Sequence, residues 1–305
     1  MTTDFVQCFH FNDEPVRGAI VVLNTSHQKA TRSLHADAHI RALLGQCLAA
    51  TSLMGVNLKG DALLSLQARG DGILSLIMAE AEFTNNEIDG EANQTICVRG
   101  TANYQSQPGT DPASPVAQAT STDLDKLLGN AQLAITISPK SGTRYQGIVP
   151  LAKSSLEQCL MDYFDQSEQL PTWLRLYAGD QYACGLFLQQ MPVPREESAL
   201  LLPLWEELLA LSGTITEDEL VKLPARTVLQ RLFAEHRLSL QTPRPASFGC
   251  RCSKQKTLQA VSTFPQQEIE SMLAENPCIE ISCEFCGQQY QLTRSDLDAL
   301  LPTSH

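Results

Sequence analysis

The sequence predicts an α/β (α+β) chain in three parts. They are a core domain of mixed or antiparallel sheet with packed helices, a helical linker, and a small C-terminal zinc-binding domain. Three observations predict this. Short β-branched runs and a glycine hairpin signal alternate with helix-period stretches over residues 1–193. Prolines cut residues 194–248 into short leucine-rich pieces. Residues 249–305 carry two close cysteine pairs, Cys250-Arg-Cys252 and Cys283-Glu-Phe-Cys286.

Taken in order, Arg17 to Leu23 reads as a buried strand by its β-branched density. A helix is expected over about Ala36 to Leu53, with Ile40, Leu43, Leu44, Cys47 and Leu48 on its apolar face. Ala62–Arg69 and Ile73–Glu80 flank Gly70-Asp71-Gly72, a hairpin signal. That turn lacks the glycine spacing and the lysine of a phosphate loop. Further strands are expected at Thr95–Arg99, Leu133–Ile137, Arg144–Val149 and Gln181–Gln190. Helix propensity runs from Leu151 to about Phe164, and Gln105–Ala119 reads as an exposed polar loop. His35 and His39 lie four apart, but no acid-bearing zinc-protease motif joins them, so surface or helix-start histidines are expected.

Met191-Pro-Val-Pro194 marks the first boundary. Helices follow at Leu200–Leu211, Thr216–Leu223 and Ala225–His236, with Thr216 and Glu219 spaced as a capping box. Helices this short are marginal alone, so the linker should be stable only while docked on the core and the zinc unit.

The paired cysteines carry the chemistry. Four thiols in two tight pairs suit a closed tetrahedral zinc site, with Gly287 able to take the positive φ of a knuckle. Cys250, Cys252, Cys283 and Cys286 are therefore the expected metal ligands, one zinc per chain. Cys8, Cys47, Cys97, Cys159 and Cys184 sit among apolar neighbours and read as small buried hydrophobes, and Cys278 is a further thiol of open role.

Net charge is -12, and from Ala246 to His305 four Lys or Arg face seven Asp or Glu. That balance disfavours a zinc ribbon acting on nucleic acid, which needs basic surface for phosphates. No segment reaches the apolar length of a membrane span, and the first residues lack a signal-peptide pattern. Thiols kept reduced on zinc suit a cytoplasmic location.

The cysteine pattern, with Arg144-Tyr-Gln-Gly147, Asp162-Tyr-Phe164, Ser167-Glu-Gln-Leu-Pro171, Gln189–Pro192 and Ser271–Glu275, resembles the bacterial redox-regulated holdase chaperones, the thirty-three-kilodalton heat-shock family. The resemblance covers nearly the whole chain. It implies an ATP-independent chaperone rather than an enzyme, inactive when reduced and zinc-bound. Oxidation would join Cys250 to Cys252 and Cys283 to Cys286, release zinc and loosen the linker. Unfolding client proteins would then bind, and active forms would form homodimers. Cys278 falls outside that ligand set and could add an off-pattern disulfide. A thiol–disulfide oxidoreductase is the rival reading, and it would place Cys283 and Cys286 at a helix start after a strand. Given those bonds, Cys283–Cys286 should close first, because a Cys-x-Cys disulfide is strained.

Overall fold

The computed structural model describes residues 3–34, 36–88, 91–104, 123–194 and 201–298. The chain divides into two compact units, Met1–Phe248 and Gly249–His305. The expected loop over Gln105–Ala119 and His35 lie outside the described residues.

Unit 1 is built on an eleven-stranded sheet. One half holds β3 (Ala62–Arg69), β4 (Leu74–Ile88), β5 (Glu91–Tyr104), β6 (Gln132–Pro139) and β7 (Tyr145–Pro150). The other holds β1 (Phe5–Phe11), β2 (Val16–Leu23), β8 (Thr172–Ala178) and β9 (Ala183–Gln190). Two late strands complete it, β10 (Leu238–Leu240) and β11 (Arg244–Phe248). β11 joins the halves, running parallel to β5 and antiparallel to β1, while the other pairings are antiparallel. The sheet is thus mixed, and β3–β4 is the hairpin expected around Gly70-Asp71-Gly72.

Helix α1 (Thr25–Thr31) precedes α2 (Ala38–Met54), and α2 packs against strands of both halves. From Leu43 onward nearly every residue of α2 is buried, the signature of a helix enclosed on all sides rather than half-exposed. Asp37 caps it, accepting from the Ile40 N–H at 3.1 Å. Gly45 permits that enclosure, since a Cβ there would stand 2.7 Å from the His27 ring and 2.8 Å from the Ala178 Cβ. His27 is accordingly fully buried, its Nε2 2.9 Å from the Gly179 carbonyl, and burial lowers its pKa. It is no surface histidine. His39 is exposed, as expected.

Helix α1 and strands β1 and β8 are among the elements not legible in the sequence. α1 is polar, and its first N–H groups are satisfied from a distance. Both carboxylate oxygens of Asp4 accept from Asn24, Thr25 and Ser26 at 2.7, 3.1 and 2.5 Å. β1 breaks the apolar pattern with a buried Gln7, whose Nε2 donates to the Gln241 carbonyl. β8 alternates Trp173 and Arg175 with the buried Leu174 and Leu176, and the guanidinium lies 5.7 Å from the indole centroid. The short α3 (Leu124–Leu128) precedes β6. The helix expected from Leu151 begins later, as α4 (Leu156–Tyr163), because Ser155 caps it, and a π turn (Phe164–Glu168) follows.

Strands β1, β2 and β9 are apolar on both faces. Ala19, Val21 and Leu23 face the core under α2, whereas Phe9, Phe11, Ile20, Val22, Leu186 and Leu188 face the other way. This second face is covered by α5 (Leu202–Ser212), α6 (Glu217–Lys222) and α7 (Ala225–Leu232), through Trp205, Leu208, Leu229 and Phe233. The run Ala-Ile-Val-Val-Leu therefore required two covers. The capping box at Thr216 and Glu219 is present. Beyond α7 the chain does not stay helical, because β10 and β11 pair with β1 and β5.

Candidate metal and redox centre

Unit 2 holds α8 (Lys254–Val261), α9 (Gln266–Glu275), β12 (Cys278–Ser282), β13 (Gln289–Thr293) and α10 (Arg294–Asp298). Among its described residues the buried apolar core is Val261, Ile269, Ile279, Leu292 and Leu297. A core of this size falls short of what an independent module needs, so another crosslink must contribute.

The four paired cysteines are placed to supply it. Cys250 and Cys252 lie just before Ser253, whose hydroxyl caps α8 by accepting from the Lys256 N–H at 3.2 Å. Cys283 and Cys286 occupy the turn between β12 and β13. The turn is closed by the Gly287 N–H on the Cys283 carbonyl at 2.7 Å and the Cys283 N–H on the Gln288 carbonyl at 2.9 Å. Gly287 has φ 72°, the left-handed conformation expected of the knuckle glycine.

All four sulfurs lie within 4.8 Å of one another. Cys250 Sγ is 3.6 Å from Cys283 Sγ, and Cys252 Sγ is 3.5 Å from Cys286 Sγ. A regular tetrahedron of zinc–thiolate bonds of about 2.3 Å has edges of about 3.8 Å, so the cluster has the size of a metal cage. The donor set, four soft sulfurs, selects zinc or a similarly thiophilic ion. These contacts run across the two pairs, so proximity alone does not choose which thiols would join on oxidation. Cys278 begins β12 outside this cluster.

The electrostatics are those of crowded sulfurs. Burial pushes the Cys250 thiol up, but the Cys252 N–H and neighbouring thiols outweigh it and bring it down to about 7. Burial, with the adjacent sulfurs, pushes Cys286 up to about 12 and raises Cys283 as well. The cluster cannot carry several thiolates unaided, and a divalent cation reverses that balance. Sequence reasoning missed Tyr290, whose hydroxyl donates to Cys252 Sγ at 3.1 Å. That bond pushes the phenol up to about 12. It arises from register, since Tyr290 sits on β13, 38 residues from Cys252. Lys254 on α8 also reaches Asp296 on α10 at 2.8 Å.

The remaining thiols are dispersed. Cys8, Cys47, Cys159 and Cys184 are buried and Cys97 is half-buried. Burial raises Cys47 and Cys184 to about 12, which leaves them inert.

Residues 4–293 match the family model described as Hsp33 protein. The chain is 41% identical over 310 residues to the 33 kDa chaperonin of Hahella chejuensis, covering 100% of both chains. It is 36% identical over 300 residues to that of Shewanella woodyi, covering 98% of this chain and 96% of the relative. The fold is similar to the crystal structure of the 33 kDa chaperonin (heat shock protein 33 homolog) from Thermotoga maritima. There the TM-score is 0.76 at 20% identity, over 97% of both chains.

Proposed function

The chain belongs to the Hsp33 family of chaperones, and from that premise we propose that Cys250, Cys252, Cys283 and Cys286 are its zinc ligands and its redox switch. The observation that carries this is the four-sulfur cage in a module whose own apolar core is too small to stand alone. Bound there, zinc would hold the sulfurs as thiolates and tie the chain before α8 to the β12–β13 turn.

Oxidation by peroxide dismantles the cage. A thiolate attacks the peroxide oxygen, giving a sulfenic acid and hydroxide. A second thiolate then attacks that sulfur, expels hydroxide and forms the disulfide, so two thiols and one peroxide give one disulfide and two waters. Each disulfide removes two donors, and the module loses its main crosslink. Residues 194–248 act as a metastable linker whose release uncovers the apolar face of β1, β2 and β9. That face, with Phe9, Phe11, Ile20 and Leu186, offers unfolding client proteins an apolar surface. The active form is a homodimer, the switch is stoichiometric rather than enzymatic, and its reduced resting state suits the cytoplasm.

The oxidoreductase reading is disfavoured by position, since Cys283 and Cys286 occupy a β-turn and not a helix start. Light scattering of an unfolding test protein examines the proposal. Suppression of aggregation by the oxidised chain and not by the reduced, zinc-loaded chain is expected. Equal suppression in both states would refute the switch.

A further inference from the structure

Unit 1 contains a cleft of two adjoining lobes, about 560 and 310 Å³, that share Val56, Gln241 and Arg244. The charged residues lining it are Lys59, Arg17 and Arg244, with His10 at one wall, and no Asp or Glu lines either lobe. In a chain with 34 acidic and 22 basic residues, that concentration of one sign calls for a cause.

Among the described residues the two guanidiniums have neutral partners only. Arg17 gives Nε and Nη2 to the Gln189 Oε1 at 3.2 and 2.6 Å. Arg244 gives Nη1 to the Val56 carbonyl at 2.7 Å and to Gln94 Oε1 at 2.6 Å, and Nη2 to Gln241 Oε1 at 3.1 Å. Among the described residues neither pairs with a carboxylate, whereas Arg99, Arg41 and Arg231 pair with Glu80, Asp180 and Glu219. Glu168 lines a smaller neighbouring pocket with Arg17, but its carboxylate accepts from the Tyr163 hydroxyl at 3.0 Å. Burial lowers the pKa of Arg17, as expected for a cation desolvated without a counterion. Amide side chains of Asn57, Asn85, Asn93 and Gln94 complete the lining. Gln94 Nε2 gives one hydrogen to Asn85 Oδ1 at 3.2 Å and Asn85 Nδ2 gives one to Asp61 Oδ1 at 3.3 Å, which leaves each of these two amides a second N–H.

We propose that this cleft binds a small, multiply charged oxyanion, held by Arg17 and Arg244 with Lys59 at its outer edge. Guanidinium forks match phosphate and carboxylate oxygens alike, so the shared ligand chemistry is a dianion with a hydrogen-bonding body. Since Gln241 follows β10 and Arg244 opens β11, the bound ligand would also fasten the start of β11 to the Val56–Lys59 segment.

Calorimetric titration of the reduced, zinc-loaded full chain tests this without any client or oxidant, so its outcome is independent of the chaperone switch. Inorganic phosphate and succinate are the two probes, against sodium chloride at matched ionic strength. Saturable 1:1 binding of either probe is expected, and the stronger probe identifies the oxyanion class. Arg17→Gln and Arg244→Gln should each weaken it about tenfold, the loss of one charge-assisted contact. Arg244→Lys, which keeps the charge, should fall between, and Lys222→Gln, at an exposed position of α6, should change nothing. No saturation with either probe overturns the proposal. So does equal weakening by Lys222→Gln, or undiminished binding in folded Arg17→Gln and Arg244→Gln proteins.

Discussion

On the proposed switch, Tyr290 would temper the reactivity of the centre through one hydrogen bond. Its hydroxyl stabilises the Cys252 sulfur as an acceptor, and a stabilised thiolate is a poorer nucleophile. Tyr290→Phe should speed peroxide-driven zinc release roughly threefold, since part of a charge-assisted bond is lost in the transition state. A chromogenic chelator reads that rate directly, and an unchanged rate would remove Tyr290 from the mechanism. For the ligands, reduced protein should hold zinc at a 1:1 ratio, and Cys283→Ser should lower it. Full zinc after all four cysteines were replaced would end the assignment. Glu157 gives a pH signature in unit 1. Burial raises its pKa while its carboxylate accepts from the Leu176 N–H at 2.6 Å. A carboxyl raised above its unfolded value favours the folded state most when protonated. Stability is therefore lost as pH rises from about 4.5 through the raised value. Glu157→Gln keeps the acceptor, and should raise the melting midpoint at pH 7 and flatten its fall over that window.

At the scale of elements, helices α5 to α7 are held to the sheet by an apolar face and a few polar ties. The Tyr177 hydroxyl donates to the Ile215 carbonyl at 3.0 Å, and Tyr182 donates to Glu217 at 2.9 Å. His236 Nδ1 lies 3.0 Å from Glu14. Phe233 is the anchor, fully buried and edge-on to Phe11 at 5.1 Å. Phe233→Ala should cost about 3–5 kcal/mol of docking. The expected result is holdase activity in the reduced chain together with faster proteolysis across 202–248. Cys184 is a built-in reporter, since it is buried in the same cluster beneath these helices. Its alkylation should be slow in reduced protein and rise after peroxide with mild warming, alongside cleavage between residues 194 and 248. Equal protection in both redox states would place the switch elsewhere.

For the whole molecule, the proposed oxidation has an expected order set by what each disulfide would cost. Cys283 and Cys286 already share a tight turn, whereas Cys250 and Cys252 are separated by one residue and must strain to join. Timed oxidation, acid quench, alkylation and peptide mapping should show the 283–286 bond first, with client protection arriving with the 250–252 bond. Appearance of the 250–252 bond first, or complete protection before it forms, would overturn that order.

The sequence by itself determined the local features. These are the capping box at Thr216, the hairpin around Gly70-Asp71-Gly72, the existence of helix α2 though not its enclosure, and a thiol pattern whose sulfurs meet in one cage. Each depends on neighbours a few residues apart, or on a ligand pattern whose chemistry has few solutions. Tertiary structure decided the rest, because the partners are far apart in the chain. Asp4 supplies the end of α1 from twenty residues away, and Tyr290 reaches Cys252 only through the β12–β13 register. The stretch after α7 holds two short strands because β1 and β5 leave edges for it to pair. The Ala-Ile-Val-Val-Leu run announced a buried strand, but only the assembled sheet shows that its second face is covered by the proline-broken helices. A local pattern records how much apolar surface must be hidden, and long-range packing chooses what hides it.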